Sequence, residues 1–333
     1  MLNDLPTRSR SPEFYALLAM LFATAIWGFA PPIIKYTLDY IPPFSFLFYR
    51  FLIVCLVLFP FMYLELRRQS VSLREFPALA VSGLLGQTSL ILIFIGLRYT
   101  SSLEVAVIGI IAPLLMVTAG HCFFNEKVNK NIKVGLIITS LGTLFLAIGP
   151  ILDSNVSPTM RNSRILGNAL IVIYNLIWTA YVLWSKRIRG ENSPKVNQVA
   201  KFFGIPIPRK RYSSGLITGI SFYVGLITMT PFYVLESMGK IGSSGGFSLL
   251  DLTAGGWLGL LYMSFLSSIV AYTLFEWSLK YLKVADTAIF SYISPIFTLP
   301  AAFLILRELP TGDILLGSII IAIGIVVAER KKS

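Results

Sequence analysis

The sequence predicts an all-α polytopic membrane protein with ten transmembrane helices, arranged as two inverted five-helix repeats. Three observations lead to this fold class. Apolar residues make up 55% of the 333 positions, charged residues make up 13%, and the mean hydropathy is +0.75. Apolar stretches of about 18 to 25 residues, long enough to cross a bilayer core of ~30 Å as helices, recur along the chain. One long stretch of the sequence also occurs twice.

Ten apolar stretches are predicted as helices, because an open strand cannot satisfy its backbone hydrogen bonds in lipid. The predicted spans are residues 14–34, 44–64, 76–97, 103–124, 132–149, 165–184, 215–235, 255–279, 285–306 and 312–328. The first stretch is too long for the core of a signal peptide, so we expect it to be retained as an anchor.

The repeated stretch is 97–142, which aligns without a gap with 279–324. Twelve of the 46 aligned positions are identical, where roughly a tenth would be expected by chance for apolar segments. Both copies keep a proline, a glutamate and two glycines at one spacing, namely Pro113, Glu126, Gly135 and Gly142, and Pro295, Glu308, Gly317 and Gly324. The second copy begins five helices after the first, and because that number is odd the copies are predicted to cross the membrane in opposite directions. Many secondary transporters have inverted repeats with the solute site between them.

The distribution of basic residues predicts the orientation. With the N-terminus in the cytoplasm, 21 of the 28 Lys and Arg residues fall on the cytoplasmic side, as the positive-inside rule requires. We therefore expect a multi-pass protein of the plasma (inner) membrane with both termini cytoplasmic. The predicted regions are a cytoplasmic N-terminus (1–13), a first five-helix repeat (14–149), an external linker (150–164), a second repeat (165–328) with a basic cytoplasmic loop (190–212), and a cytoplasmic C-terminus (329–333).

Composition and motifs exclude several functional classes. The net charge of +12 comes from short basic runs between hydrophobic segments, which does not build a continuous nucleic-acid-binding face. Cys55 and Cys122 lie in apolar runs and His121 is the single histidine, so neither a disulfide framework nor a histidine-rich metal site is indicated. No nucleotide-binding loop or nucleophile elbow occurs. We expect no enzyme activity and no cofactor.

Glu276 is the boldest candidate for solute binding or ion coupling, because a carboxylate within a membrane span is costly. It lies three-quarters of the way through the eighth span, and its counterpart in the first repeat is Phe94. It either binds a cationic group or exchanges a proton, or it pairs with Lys280 one turn later. His121, one turn before the end of the fourth span, either bonds to a neighbouring helix or takes part in proton coupling.

Other candidates for the solute site are polar or aromatic. Gln87 in the third span serves helix packing or solute binding. Aromatic residues of spans one, six, eight and nine are candidate walls of a solute pocket, although each is also an ordinary packing residue; they are Trp27, Trp178, Tyr181, Tyr272 and Tyr292.

Four residues of the duplicated stretch are predicted to act in structure or gating. Pro113 and Pro295 lie in mid-helix, where each removes a backbone hydrogen bond and bends its helix, which shapes a cavity or provides a hinge. Glu126 and Glu308 are expected at the turn entering the next helix, where a carboxylate complements exposed N–H groups.

Lys35 and Arg50 flank the external turn that contains Asp39. We expect them to anchor the helix ends at the membrane interface and to pair with Asp39, unless they meet an anionic solute on its way in. The basic loop 190–212 either lies on an anionic lipid surface or is a flexible insert that reinforces the charge bias, and we favour the insert.

These residues resemble the drug/metabolite transporter superfamily, and within it the ten-helix EamA-type transporters. The resemblance rests on Trp27-Gly28, on Pro43 with Arg50, and on the duplicated proline, glutamate and glycine signature. It covers about residues 14–329 and implies two inverted five-helix repeats around a central cavity. Glu276 and the long basic loop depart from the family pattern.

The function expected from the sequence is secondary transport, in the export direction, of a small organic metabolite such as an amino acid or amine, by alternating access without ATP hydrolysis. The expected partners are the solute, a coupled proton or other ion, and membrane lipid, but no nucleic acid. The alternative is a non-transporting membrane receptor or scaffold that acts through the loop 190–212.

Overall fold

The computed structural model describes residues 12–125, 130–148, 157–242, 247–282 and 284–329, and the regular structure in these ranges is helical. The helices are α1 Pro12–Thr37, α2 Pro43–Arg68, α3 Phe76–Tyr99, α4 Ser102–Phe124, α5 Lys130–Ile148, α6 Pro158–Ile188, α7 Pro194–Phe202, α8 Ser214–Ser237, α9 Ala254–Ser278, α10 284–306 and α11 Gly312–Glu329. Seven of these are long and apolar enough to cross a membrane, and α5, α10 and α11 contain shorter apolar stretches. The prediction of an all-α polytopic membrane protein is confirmed.

Three of the helices in the described ranges contain π-helical turns, which are rare and occur frequently at functional sites. They lie at Leu84–Thr88 in α3, Tyr262–Val270 in α9 and Ala302–Leu306 in α10. The turns of α3 and α9 fall at corresponding positions of the two predicted repeats. The residue before each signature glutamate, Asn125 and Arg307, is left-handed in both copies, and each ends its helix.

The packing partners follow a symmetric scheme. Helix α2 packs on α8, α5 on α11 and α4 on α10, while α1 packs on α9 and α10 as α6 packs on α3 and α4. Exchanging α1–α5 in order with α6 and α8–α11 leaves the pairs α2–α8, α4–α10 and α5–α11 unchanged, and it turns the two pairs of α1 into the two pairs of α6. The inverted repeat stays a prediction from the sequence.

The signature glycines lie where α5 and α11 approach each other closely. A Cβ at Gly142 would lie 2.8 Å from the Ile321 side chain, and one at Gly324 would lie 2.8 Å from the backbone nitrogen of Thr139 and 2.9 Å from the backbone oxygen of Gly135. Small residues let helix backbones approach in a membrane, where packing replaces the hydrophobic drive between helices.

We expect Gly324→Ala to lower the free energy of unfolding by about 1–3 kcal/mol, because the new methyl group would meet backbone atoms that cannot move aside without separating α5 from α11. Thermal unfolding of the purified protein measures the change. Gly312→Ala is the matched control, because a Cβ there meets no atom within 4 Å. Equal unfolding temperatures for the two variants would contradict this packing.

The basic loop contains a helix, α7, that packs against the bundle. Helix α7 buries Val196 and Ala200, and the Ser193 hydroxyl donates a hydrogen bond to the Phe123 carbonyl at 2.5 Å. Phe202 and Phe203, at the end of α7, are exposed. The interpretation of 190–212 as a flexible insert is therefore wrong, because apolar side chains of α7 anchor the loop to the helix bundle.

The loop is also fastened at its far end to the start of α3. The Tyr212 hydroxyl donates to Glu75, and the Arg209 backbone N–H donates to the Glu75 Oε1 at 2.8 Å. The hydrogen bonds from Tyr212 and Arg209 lower the pKa of Glu75. Burial, followed by the hydrogen bond to Glu75, raises the pKa of Tyr212 to about 12.

We expect Glu75→Gln to speed hydrogen exchange at the Arg209 amide at pH 7, because a neutral amide oxygen is the weaker acceptor. A lowered pKa in the folded state means that the ionised Glu75 stabilises the docked loop above ~4.3, its unperturbed pKa, and that this contribution disappears as the pH falls through the lowered value. Protection factors, corrected for intrinsic exchange, should fall below ~pH 4.3 in the wild type and show no such step in Glu75→Gln. The same step in both proteins would rule out Glu75 as its origin.

Candidate solute-binding cavity

A cavity of about 200 Å³ lies between α1, α3, α4, α6, α9 and α10. Arg50 contributes from α2. The wall is mostly apolar, with a few hydroxyl and amide groups such as Thr24, Asn175, Ser267 and Thr298. A concave, largely apolar site with a few placed polar groups is the usual form of a small-molecule site.

Aromatic side chains from three helices form one side of the cavity. The Trp27 ring centroid lies 5.5 Å from Trp178, 5.0 Å from Tyr272 and 5.1 Å from Phe275. The Trp27 Nε1 donates to the Ser267 carbonyl at 3.0 Å, which fixes the orientation of the indole. Three of the five predicted aromatic residues therefore meet here, together with Phe275, and we name these four residues the aromatic wall.

Proline shapes α4 beside the cavity. Pro113 has no N–H to donate to the carbonyl of Gly109, and the helix is interrupted between Gly109 and Ile111. Gly109 lines the cavity, and a Cβ built on it meets no atom within 4 Å. Pro295 lies within α10, one residue from the cavity-lining Ser294.

Glu276 is fully buried but lies outside the cavity lining, next to Phe275 of the aromatic wall. It forms an ion pair with Arg189, accepts a hydrogen bond from the Tyr181 hydroxyl, and lies 3.1 Å from the Ser185 hydroxyl. The predicted alternative of a pair with Lys280 is wrong, because α9 turns Glu276 towards α6 instead. We name Glu276, Arg189, Tyr181 and Ser185 the Arg189 closure.

Sequence reasoning missed Arg189. The available signal was the basic cluster that ends α6, since a buried carboxylate requires a cation or hydrogen-bond donors. A second cavity of about 580 Å³ lies on the other side of the Arg189 closure. Its lining includes four basic residues, Lys186, Arg189, Arg211 and Lys280, and one acidic residue, Glu191. We name this second cavity the basic vestibule. The Arg189 closure links the two linings, since Arg189 lines the vestibule and its partner Glu276 follows Phe275 of the central cavity.

Glu308 closes the opposite end of the bundle, where α1 ends and α4 begins. Its carboxylate lies 3.5 Å from the Lys35 Nζ and accepts hydrogen bonds from the backbone N–H groups of Ser102 at 3.2 Å and Leu103 at 3.3 Å. The Lys35 Nζ also donates to the Thr100 carbonyl at 2.5 Å. We name Glu308, Lys35, Thr100 and Ser102 the Lys35 closure.

Two expectations for this end need correction. Glu308 does complement exposed N–H groups at a helix start, but that helix is α4 of the other predicted repeat instead of the following α11. Lys35 pairs with Glu308 and not with Asp39, and Arg50 is 1% exposed and lines the cavity instead of anchoring a helix end at the interface.

The remaining candidates lie elsewhere. Gln87 is buried in the π turn of α3 and does not line the cavity. His121 is half-buried near the end of α4, also away from the cavity lining. Glu126 and the side chain of Tyr292 lie outside the described residues.

Comparison with known proteins identifies the family. A model described as "EamA-like transporter family" matches residues 14–148 and 200–329. The chain belongs to the EamA-like transporter family. An uncharacterized transporter of Archaeoglobus fulgidus is 24% identical over 95% of this EamA-like transporter and 97% of the relative. The uncharacterized transporter YyaM of Bacillus subtilis is 22% identical over 89% of this chain and 87% of the relative.

A solved crystal structure of a protein shares the fold of this EamA-like transporter. It matches with a TM-score of 0.57 and 16% sequence identity, over 94% of this chain and 96% of that chain. Family membership and the names of the relatives support a transporter that acts on a small solute, and the apolar helices support a multi-pass membrane protein.

Proposed function

We propose that this EamA-like transporter is a secondary transporter that exports a small organic metabolite by alternating access, without ATP hydrolysis. The observation that carries the proposal is a central cavity with a polar closure at each end. The Arg189 closure joins α6 to α9, and the Lys35 closure joins α1 and α4 to the segment after α10. A carrier of this type opens one closure at a time, so that the solute site faces each side of the membrane in turn.

The charge distribution supports an orientation for this cycle. The vestibule beyond the Arg189 closure and the loop 190–212 carry much of the basic surface. By the positive-inside rule we place this end in the cytoplasm and the Lys35 closure on the outside. Export then begins when the Arg189 closure opens and the solute leaves the basic vestibule for the aromatic wall.

The ion pair gives Glu276 a role in closing the site. Two charges in a low-dielectric interior remain stable only while they are paired and hydrogen-bonded. Opening separates Glu276 from Arg189, and water that enters from the vestibule then solvates both groups. The paired, closed state and the hydrated, open state are therefore both accessible. A state in which Glu276 and Arg189 are separated but not yet solvated is costly.

Flux through the cavity tests the proposal. The protein, reconstituted in liposomes without ATP, is expected to release preloaded organic solutes from a panel of acids, amino acids and amines. Gly109→Leu should abolish this flux, because its side chain would fill cavity space that is open beside Gly109. Gly312→Leu is the matched control, since Gly312 also has open space around it but lies at the start of α11, outside the cavity.

Absence of flux for every solute, with a folded protein, would overturn the proposal and favour the receptor or scaffold alternative. Equal flux in Gly109→Leu and Gly312→Leu would also contradict it, because solute would then cross elsewhere.

A further inference from the structure

Resting on the proposed function, we propose that Arg50 binds the anionic group of the solute, and that the solute is a small organic acid with an apolar or aromatic body. Among the described residues that line the central cavity, Arg50 alone carries a charge. No described carboxylate lines the cavity to receive an amine. The charge of the site therefore favours an acid over the amine that the sequence left open.

Arg50 is buried without a counterion. It lies seven residues after Pro43, about 10 Å along α2 at 1.5 Å per residue, and it is 1% exposed. Within the described residues no carboxylate oxygen lies within 4 Å of its guanidinium, and its Nη1 has no hydrogen-bond partner. Burial of an unpaired charge is costly, so a ligand that supplies the missing anion gains the interaction that the protein leaves open.

The guanidinium is held in a fixed orientation. Its Nε donates to the Ser268 hydroxyl at 2.8 Å, and that hydroxyl donates to the Met263 carbonyl at 2.7 Å. Both Ser268 and Met263 belong to the π turn of α9. Nε is engaged and Nη1 has no partner, so the planar guanidinium keeps free N–H donors on Nη1 for an acceptor such as a carboxylate.

The surroundings of Arg50 suit the rest of such a solute. The ring centroids of Phe51 and Phe94 lie 5.8 and 6.0 Å from the Cζ of Arg50, and both rings are fully buried. The aromatic wall lines the same cavity. A volume of about 200 Å³ is below that of a typical drug site, so it favours a metabolite-sized acid with one apolar group.

Binding to the full-length protein in detergent tests the assignment with three probes of one shape: 3-phenylpropionate, 3-phenylpropanamide and 3-phenylpropylamine. In a thermal-shift experiment, 3-phenylpropionate is expected to raise the unfolding temperature of the protein. The amide and the amine are expected to bind at least tenfold more weakly. Arg50→Gln should weaken 3-phenylpropionate binding at least tenfold, and Arg50→Lys should weaken it less, since the charge remains but the planar fork is lost.

Arg68→Gln is the matched control, because it removes the same charge from a side chain that is 74% exposed and outside the cavity. Equal binding of acid and amide to the wild type, or preference for the amine, would overturn the inference even if an Arg50 variant failed to fold. If neutral or cationic solutes were still transported by Arg50→Gln, the assignment of an acidic solute to Arg50 would be overturned, while the proposed transport function would stand. Binding of the acid without any flux would support the site and contradict the proposed transport.

Discussion

Replacing Glu276 by Gln is expected to lower the free energy of unfolding by about 3–5 kcal/mol, the usual cost of removing one partner from a buried ion pair. Glu276 is fully buried, and the Arg189 side chain that would lose its partner is 7% exposed. Glutamine keeps the volume of Glu276 and can still accept from Tyr181, so the loss reports the uncompensated charge of Arg189 and not a cavity. Denaturation of the purified variant measures the change.

Two further variants separate this explanation from others. Lys280→Gln should change stability by less than about 1 kcal/mol, because Lys280 is exposed and is not the partner of Glu276. Adding Arg189→Met to Glu276→Gln should restore part of the lost stability, since the buried charge is then gone from both sides. A large loss of stability in Lys280→Gln, or no recovery of stability in the double variant, would mean that the Glu276–Arg189 pair does not stabilise this end of the bundle.

The fold class follows from local properties of the sequence, which is why it could be predicted. Apolar stretches of membrane-spanning length specify helices wherever they occur. The spacing of Gly135 and Gly142, repeated at Gly317 and Gly324, likewise marks a close helix contact without reference to the rest of the chain, and α5 does pack on α11.

The partners of the charged side chains could not be predicted in this way. Glu276 and Arg189 lie on different helices, and their contact depends on how α9 is rotated against α6. Lys280, one turn away on the same chain segment, is the partner that local spacing suggests. Proximity to a helix start likewise suggests that Arg50 lies at the interface, yet α2 turns it inwards between α9 and the aromatic residues. Helix rotation and axial offset are tertiary properties that periodicity does not determine.

Replacing Glu308 by Gln is expected to increase access to the cavity from the Lys35 side. The variant loses its charge pair with Lys35 and weakens its hydrogen bonds from the start of α4. A hydrogen bond to a charged group contributes about 1.5–3 kcal/mol, and each ~1.4 kcal/mol changes an equilibrium tenfold. Loss of one such interaction should therefore raise the open fraction of the Lys35 closure roughly 10- to 100-fold.

Labelling of a single cysteine measures that fraction. With Cys55 and Cys122 replaced by Ser, Ala106→Cys places a thiol in the cavity wall. A membrane-impermeant thiol reagent is added from the Lys35 side of oriented liposomes. It should label the Ala106→Cys thiol roughly 10- to 100-fold faster when Glu308→Gln is also present. Glu276→Gln should raise labelling from the opposite side instead, because it weakens the Arg189 closure.

Asp39→Asn is the control, because Asp39 is exposed and has no ion pair with Lys35 or Arg50. It should leave the labelling rate unchanged from both sides. If Glu308→Gln left the labelling rate unchanged, as Asp39→Asn should, Glu308 would only cap α4 and would not hold this end closed. If Glu308→Gln instead raised labelling equally from both sides, the two closures would open together. That result would contradict alternating access, since a carrier must keep one end closed while the other is open.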